Sequence, residues 1–338
     1  MRVTSNRPRP FGGEGWGEGE MRDMIALLLL AFGGPRSLDD VEFLLTRLFK
    51  RAPSPELLER VKARYDLIGG FSPLPEITCR QAEALEKRLN ERGYPLKSFV
   101  GMRYSHPLIE ETVDEVLREG IREIVALPMA PLRSKGSTGA YIEEMKRVTG
   151  SRKEQIKVSF VEGWHQHPFF LDAVREKIRE GLSEFAPERR GRVHLLFTAH
   201  SLPRSIIEND PYVRDMEESV RGVLEGLGDR PWRMAFQSKG GGQEEWIGPD
   251  VESVLTELAA EGVRDVLVVP IGFVADHIEI LYDIDILFRD QAVSLGIMLK
   301  RTASLNTSEK FVLALATAVE KQLGRSQDVG QDPSFVRK

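Results

Sequence analysis

Short apolar runs alternate with amphipathic segments along most of the chain. Residues 25–32, 193–197 and 266–270 are almost entirely apolar, and each run leads into a turn containing Gly, Pro or polar residues. Residues 110–119 and 250–260 instead repeat their apolar positions at helical spacing. Because a strand that is apolar on both faces must be covered on both, the pattern predicts an α/β fold with parallel sheets flanked by helices.

The chain also contains a degenerate internal duplication. Residues 119–128 align without gaps with residues 261–270, at an offset of 142 positions, and each copy is a helix end followed by an apolar strand. Residues 31–38 likewise align with residues 199–206, at an offset of 168. We therefore predict two similar Rossmann-like halves that face each other across a central cleft.

The two ends of the chain lack this pattern. Residues 1–22 are rich in Gly, Pro, Arg and Glu without apolar periodicity, which predicts a disordered N-terminal extension. The pattern is lost again after Gly324, so residues 325–338 are predicted to be a flexible tail. Between them we place an N-terminal half at residues 23–190 and a C-terminal half, with the candidate metal site, at residues 191–324.

Composition narrows the classes of function. Hydrophobic residues make up 41% and charged residues 29% of the 338 positions, as in soluble globular proteins. The net charge of −5 provides no positive field for nucleic acid or an anionic membrane. The single cysteine, Cys79, cannot form an internal disulfide or hold an iron–sulfur cluster, which favours a cytoplasmic location. The apolar run at residues 25–32 is too short to cross a bilayer and is predicted to be a buried strand.

A histidine stands where one apolar strand ends. Residues 197–203 read Phe-Thr-Ala-His-Ser-Leu-Pro, so the strand at residues 193–197 runs into His200 where the chain turns. Open α/β sheets bind ligands outside the carboxyl ends of their strands, and a neutral imidazole there can bind a divalent metal or accept a proton. The alternative is a histidine that only caps the next turn.

An acidic segment follows a second strand. Residues 272–283, which come after the run at 266–270, contain Asp276, Glu279 and Asp283 at spacings of three and four. On a helix these side chains can share one face, and in a cleft a cation or a proton would relieve their repulsion. A solvated helix start looks similar, because acids favour the N-terminal end of the helix dipole.

These two segments resemble the signatures of the ferrochelatase family, whose members insert ferrous iron into a porphyrin. The signatures are an Ala-His-Ser-Leu-Pro turn and a Phe-Val-x-Asp-His-x-Glu-x-Leu-Tyr helix start, and both are present almost letter for letter. The resemblance covers about residues 25–320, in the family's order. Further matching segments are residues 33–35, 64–65, 68–74, 103–107, 237–239 and 246–249.

The resemblance implies a chelatase-like fold and a role for each polar residue of the two signatures. It assigns metal binding to His200 and Glu279, and catalysis to these two residues and Asp283, the next carboxylate of a relay. Fe²⁺ is then the substrate metal, and no organic cofactor is expected. His277 and Asp276 are expected to orient the others through hydrogen bonds.

The relay departs from the family at one position. Many relatives have a further carboxylate another turn along the helix, where this chain has Leu287. A route for protons or metal would therefore end at Asp283 or shift to Asp285 or Asp290.

The resemblance also implies which polar residues bind the porphyrin. It assigns Arg64, Tyr65 and Ser72 to the propionates, because a planar guanidinium can hold a carboxylate through two hydrogen bonds. Tyr141 is a weaker candidate. Without the family resemblance, Arg64 and Tyr65 would equally well be ordinary residues at a helix end.

Three aromatic residues offer apolar faces to a macrocycle, namely Phe32, Phe273 and Trp246. The alternative for each is an ordinary core position. Relatives that act on coproporphyrin often have Tyr where this chain has Phe32, and a Tyr there can bind the metal from the face opposite the histidine. Phe32 cannot do so.

We therefore predict a cytoplasmic ferrochelatase that converts Fe²⁺ and protoporphyrin IX to protohaem and two protons. The first alternative is a coproporphyrin III ferrochelatase, which the short segment at residues 50–64 and the Arg64–Tyr65 pair favour. Phe32 and residues 103–107 oppose it. A cobalt chelatase of the same fold is a further alternative.

An alternative of another class is a non-catalytic tetrapyrrole or metal carrier, because a cleft between two α/β halves also suits a binding protein. The Gly-rich loops at residues 134–139 and 239–242 do not match a nucleotide-binding motif. No nucleic-acid partner is expected. Transient contact with a membrane or with another haem-pathway enzyme stays open.

Overall fold

Two four-stranded parallel sheets form the centre of the protein. The computed structural model describes residues 24–152, 156–241 and 244–324, so the predicted extension at 1–22 and tail at 325–338 lie outside the described residues. The strand order is β2-β1-β3-β4 in the first sheet and β6-β5-β7-β8 in the second. The strands are β1 Ile25–Ala31, β2 Leu96–Met102, β3 Glu123–Pro128, β4 Lys157–Phe160, β5 His194–His200, β6 Trp232–Gln237, β7 Asp265–Val269 and β8 Met298–Arg301.

Helices cover the sheets. They are α1 Val41–Phe49, α2 Pro55–Asp66, α3 Leu74–Glu91, α4 Ile109–Arg118, α5 Thr138–Gly150, α6 Pro168–Ser183, α7 Arg204–Ile207, α8 Tyr212–Leu224, α9 Val251–Ala260, α10 Arg289–Ser294 and α11 Glu309–Gln322. A π-helix spans Glu279–Phe288, and 3-10 turns lie at Leu38–Asp40, Trp164–Gln166 and Arg190–Arg192. Within the described residues, no helix is long and apolar enough to span a bilayer.

The two halves share strand order and register. Leu28 is paired with Ala126 in the first sheet and Leu196 with Val268 in the second. The two sequence offsets, 168 and 142, map the first pair onto the second. Helix α4, before β3, is followed by Gly120, and helix α9, before β7, is followed by Gly262. Both glycines have φ near +80°, and they are again 142 positions apart. The prediction of two similar α/β halves is therefore confirmed.

The first predicted strand is fully buried. All seven residues of β1 are buried, because neighbouring strands pair on both edges and helices cover both faces. The run predicted at residues 25–32 is thus a core strand over Ile25–Ala31, and Phe32, just after it, is exposed. One side of it belongs to a large apolar cluster that also includes residues of the second sheet, so the core is continuous between the halves.

Helix α6 packs on the second sheet, although the sequence division placed it in the first half. A Cβ atom at Gly181 would lie 2.9 Å from Leu267 Cδ1, so the helix approaches β7 closely. Helix α11 contacts both α6 and α3. The boundary at residue 190 therefore stays a prediction, because these helices bridge the two sheets.

A close backbone approach fixes the end of β7 against β5. The Gly272 N–H donates a hydrogen bond to the Thr198 carbonyl oxygen (3.1 Å), and a Cβ atom at Gly272 would lie 2.8 Å from Ala199 Cα. Only a residue without a side chain fits here. The contact brings the loop after β7 beside the last residues of β5.

We expect Gly272→Ala to destabilise the protein by roughly 1–3 kcal/mol or more, because the added methyl group meets backbone that cannot yield locally. Thermal and urea unfolding of the purified variant measure this. Gly150→Ala is the control, since its Cβ atom has nothing within 4 Å. Equal stability of the two variants would contradict the close approach.

Candidate active site

His200 and Glu279 form a hydrogen-bonded pair at the carboxyl edge of the second sheet. His200 is the last residue of β5, and its Nδ1 atom lies 2.8 Å from Glu279 Oε2. Glu279 is the first residue of the π-helix that follows β7. The Tyr212 hydroxyl of α8 donates to the His200 carbonyl oxygen (2.9 Å), which fixes the end of the strand.

The pair is electrostatically coupled. Burial alone would lower the pKa of His200, but the charge and hydrogen bond of Glu279 outweigh burial and raise it. Burial alone would raise the pKa of Glu279, yet His200 holds that pKa at about 2. Each group therefore stabilises the charged form of the other, and the imidazole gains basicity from its partner.

Asp283 is the second carboxylate of the π-helix and is 8% exposed. Burial, with the negative charge of Glu279 as a further cause, raises the pKa of Asp283 to about 6, although a hydrogen bond from Ser238 opposes this. The helix has i→i+5 hydrogen bonds, a rare form that occurs often at functional sites. The sequence pattern predicted a helix here but could not distinguish its type.

Two residues of the site were given no role from the sequence, Gln237 and Ser238. The Gln237 side chain donates from Nε2 to the Glu279 carbonyl oxygen (2.8 Å), and the Ser238 hydroxyl donates to the Asp283 carboxylate. Gln237 is also the register partner of His200 across β5 and β6. Their position directly at the end of β6, on the same sheet edge as His200, was the signal that could have found them.

His277 and Asp276 directly precede the π-helix. His277 Nδ1 accepts a hydrogen bond from the backbone N–H of Glu279 (3.1 Å), and burial lowers its pKa. Asp276 precedes the helix and therefore does not share its face. Its carboxylate accepts hydrogen bonds from Ser304 (2.8 Å) and Asn306 (2.9 Å), which hold the loop before α11.

The other acids of the helix region lie apart from the pair. Asp285 forms two hydrogen bonds with the Arg301 guanidinium, at 2.7 and 2.9 Å. Asp290 is exposed, as is Leu287. The Asp285 carboxylate is thus occupied by Arg301. Asp283 is therefore the carboxylate best placed to extend the predicted relay beyond Glu279.

Residues of α2 reach the π-helix from the other half. The Arg64 guanidinium lies 5.2 Å from the centre of the Tyr282 ring, and its charge acts on Asp283. Tyr65 is buried in a small apolar cluster with Ile278, and burial followed by the charge of Glu279 raises its pKa. The structure therefore brings both predicted residues to the acidic helix.

Ser72 and Tyr141 are buried, at 5% and 6% exposure. The Ser72 hydroxyl accepts a long hydrogen bond from the Leu74 N–H (3.4 Å). Tyr141 packs in the apolar core of the first half, and burial raises its pKa. Their assignment to propionates stays a prediction.

The three predicted aromatic residues have different surroundings. Phe32 is 42% exposed, and its ring centre lies 4.6 Å from that of Tyr104. The Trp246 ring stands nearly perpendicular to the His200 ring at 6.5 Å, and its buried Nε1 has no hydrogen-bond partner among the described residues. Phe273 packs edge-on against His277 at 4.9 Å.

A second group of potential metal ligands, His165, Asp215 and Glu218, lies where α8 meets the first half. Arg133 already binds both carboxylate oxygens of Asp215 at 2.8 Å. The two His165 ring nitrogens face different acids, Nδ1 towards Asp215 (3.6 Å) and Nε2 towards Glu218 (3.1 Å). Because Arg133 already binds both carboxylate oxygens of Asp215, we describe the group as a set of polar contacts that joins α8 to the first half.

Solved structures define the class of fold. SirB from Bacillus subtilis with Fe³⁺ is similar with a TM-score of 0.56, over 88% of this chain and 95% of its own, at 13% sequence identity. The sirohydrochlorin chelatase SirB from Bacillus subtilis subspecies spizizenii in complex with cobalt has a TM-score of 0.52, covering 89% and 96% of the two chains, at 13% identity. The fold is thus that of the chelatases.

Sequence comparisons identify the family. The family model for ferrochelatase matches residues 24–323. The ferrochelatase of Geotalea daltonii is 40% identical, covering 90% of this chain and 99% of its own length. The coproporphyrin III ferrochelatase of Oceanobacillus iheyensis is 35% identical, covering 88% and 96%. The chain belongs to the ferrochelatase family of metal-chelating lyases, an assignment that favours an enzyme over the carrier alternative.

The raised pKa of Asp283 has a consequence for stability. The folded pKa of about 6 lies above the ordinary 3.8, so the charged form is disfavoured by folding. The penalty is absent below about pH 4 and complete above about pH 6 to 7, and it amounts to roughly 2–3 kcal/mol.

We therefore expect the Asp283→Asn variant to gain roughly 2–3 kcal/mol of unfolding free energy relative to the wild type between pH 4 and pH 7. Urea unfolding across this range gives the difference at each pH and cancels any constant effect of the amide. Asp290→Asn, at an exposed position, controls for the loss of one negative charge. A difference between Asp283→Asn and wild type that does not change with pH would contradict the burial of a costly charge.

Proposed function

We propose that the protein inserts Fe²⁺ into protoporphyrin IX, which yields protohaem and two protons. The observation that carries this proposal is the His200–Glu279 pair at the edge of the second sheet. Insertion requires a base for the pyrrole protons and ligands that hold the metal loosely enough to give it up. An imidazole and a carboxylate meet both needs.

The hydrogen bond decides which atom of His200 can act as the base. Nδ1 is engaged with Glu279 Oε2, so Nε2 is the nitrogen that can face a substrate. The carboxylate stabilises the imidazolium that forms when Nε2 takes a proton. The same pair offers one nitrogen and one oxygen to the incoming metal, and a bound cation would compete with that proton.

The surroundings of the pair favour a flat apolar substrate with few anions. Trp246 stands beside His200, and Arg64 lies over the Tyr282 ring of the π-helix. Phe32, at the end of the equivalent strand of the first half, presents a partly exposed ring. Protoporphyrin IX carries two propionates and two vinyl groups. Coproporphyrin III carries four propionates, and each unpaired charge that is buried would cost several kcal/mol.

The second candidate is coproporphyrin III, because one relative is named a coproporphyrin III ferrochelatase at an identity close to that of the others. The placement of Arg64 and Tyr65 at the acidic helix is compatible with this substrate as well. Phe32 favours protoporphyrin IX, since a tyrosine is frequent at this position in relatives that act on coproporphyrin.

We expect His200→Ala to bind porphyrin but to lose at least 10²-fold in the rate of metal insertion, the lower range for a general base. Zn²⁺ insertion followed by absorbance measures the rate, and quenching of porphyrin fluorescence measures binding. His194→Ala, at the other end of β5, is the matched control. Turnover of His200→Ala close to that of the wild type would remove His200 from the mechanism.

For the substrate, we expect kcat/KM to be higher for protoporphyrin IX than for coproporphyrin III. The physical reason is the desolvation of two additional carboxylates. The measurement is kcat/KM for both porphyrins with Fe²⁺ under anaerobic conditions. A clear preference for coproporphyrin III would replace the proposed substrate and leave the chelatase chemistry unchanged.

A further inference from the structure

Two acids that flank Glu279 and Asp283 in the chain converge on one arginine. Arg301 donates from Nε to Asp285 Oδ1 (2.7 Å) and from Nη2 to Asp285 Oδ2 (2.9 Å). The same Nη2 atom lies 3.4 Å from Asp276 Oδ1. Asp276 precedes Glu279 in the chain, and Asp285 follows Asp283. One guanidinium therefore binds the chain on both sides of the segment that carries the two acids of the site.

The second sheet fixes the position of this arginine. Arg301 is the last residue of β8 and is paired in register with Val268 of β7, the strand that leads to the π-helix. Its Nη1 atom donates to the Thr302 carbonyl oxygen (3.1 Å), so each of the three guanidinium nitrogens has an acceptor. The Arg301 side chain is only 18% exposed. The guanidinium is thus held in one orientation beside the segment that follows β7.

The charges at this place require a cation with several donors. Asp276 and Asp285 both approach Arg301 Nη2, and two carboxylates this close would repel each other without a positive group between them. A guanidinium can bind one carboxylate through two parallel hydrogen bonds and still offer a donor to another, whereas an ammonium lacks this planar fork. Arg301 therefore ties the π-helix to the loop that precedes it.

The π-helix is bound to both outer strands of the second sheet. π-Helical winding is rare and mostly limited to single turns, whereas this helix has ten residues, so contacts outside the helix must favour its winding. At one outer strand, β6, Gln237 and Ser238 bind Glu279 and Asp283. At the other outer strand, β8, Arg301 binds the helix through its aspartate partner. The helix thus crosses the carboxyl edge of the sheet between two fixed attachments.

We propose that Arg301 is a positioning residue for metal insertion, which binds Asp285 and Asp276 together and so holds the π-helix in the winding that places Glu279 beside His200. This inference rests on the proposed function. Arg301 acts through Glu279, whose Oε2 atom must stay near His200 Nδ1, at 2.8 Å in the structure. A change of winding between the two aspartates would move this carboxylate.

A second arginine–aspartate pair of the same sheet provides a matched control. Arg189 donates from Nε to Asp265 Oδ2 (2.7 Å) and from Nη2 to Asp265 Oδ1. Asp265 is the first residue of β7, at the end of the strand opposite to the site. The two pairs therefore share their hydrogen-bond pattern, but only the Arg301 pair includes a residue of the π-helix. Arg301→Lys and Arg189→Lys keep the positive charge and remove the fork of each pair.

The experiment compares both full-length variants with the wild type in Zn²⁺ insertion into protoporphyrin IX. For Arg301→Lys we expect kcat to fall by roughly 10-fold or more, because small displacements of a reacting group are costly, with KM for porphyrin unchanged within about 2-fold. For Arg189→Lys we expect kcat within about 2-fold of the wild type. Thermal unfolding of both variants separates these effects from a loss of stability.

Backbone hydrogen exchange, measured by mass spectrometry without substrate, gives an independent readout. We expect the amides of residues 279–288 to exchange faster in Arg301→Lys than in the wild type, because the helix has lost its attachment to β8. In Arg189→Lys these amides should exchange at the wild-type rate.

Asp285→Asn tests the same contact from the side of the helix. The amide keeps the shape of the side chain and removes the charge that Arg301 binds, so we expect a loss of kcat of roughly 10-fold here as well. In the double variant with Arg301→Lys, kcat should fall by no more than about 3-fold beyond the lower of the two single variants, because both changes break one contact. Asp290→Asn, at an exposed position, controls for the loss of a negative charge. Asp285→Asn also decides the question if Arg301→Lys does not fold.

Wild-type kcat in Arg301→Lys or Asp285→Asn would overturn the positioning role and leave the proposed function intact. So would an equal loss of kcat in Arg189→Lys, a loss confined to KM, fully additive losses in the double variant, or unchanged exchange of the amides at residues 279–288. A wild type that inserts no metal would instead overturn the proposed function itself. Hydrogen exchange would then still show whether Arg301 holds the helix, since that measurement needs no turnover.

Discussion

The structure around the site depends on one partly buried interaction, the pairing of the imidazole at the end of β5 with a carboxylate at the start of the π-helix that follows β7. Removing either group from water is costly, and the cost is offset because each stabilises the charge of the other at 2.8 Å. His200 and Glu279 come from segments 79 residues apart, so the pair forms only when β5 and β7 lie side by side. The pairing of β5 with β7 therefore brings His200 and Glu279 together, and a shift in the register of these strands would separate them.

The two halves have the same strand order and register but different residues at the equivalent ends. Phe32 stands in the first half where His200 stands in the second, and Ser137 stands where Glu279 does, by the same offsets that match the strands. Ser137 precedes α5 as an ordinary helix start. One copy of the architecture thus holds the polar pair, while the other provides an apolar ring and, from α2, the Arg64 cation.

The sequence predicted the parts of the site that follow directly from a strand end. The strand end placed His200 at the carboxyl edge of a sheet and placed the acidic segment after the next strand, and the resemblance to the ferrochelatase signatures then assigned roles to His200 and Glu279. The bond between Asp276 and Asn306 depends on where the loop before α11 returns, and the bond between Asp285 and Arg301 depends on where β8 ends. Such contacts have no local signature.

The same limit applies to the helix type and to the division of the halves. A π-helix and an α-helix have similar apolar patterns over ten residues, so the spacing of Glu279 and Asp283 predicted only that both lie on a helix. The amphipathic pattern of α6 indicates that one face is buried, but not which sheet covers it. The close approach of Gly181 to Leu267 shows that α6 packs on the second sheet, and this contact is visible only in the structure.

The π-helix makes the length of this segment as important as its composition. A π-helical turn accommodates an additional residue compared with an α-helical turn, so a single deletion between Glu279 and Asp283 would favour ordinary α-helical winding. The spacing between Glu279 and Asp283 would then fall from four residues to three, and the i→i+5 hydrogen bonds of the segment would be replaced by i→i+4 bonds. The backbone that carries Asp283 would change although no functional residue had been replaced, so this segment is expected to accept substitutions more readily than deletions.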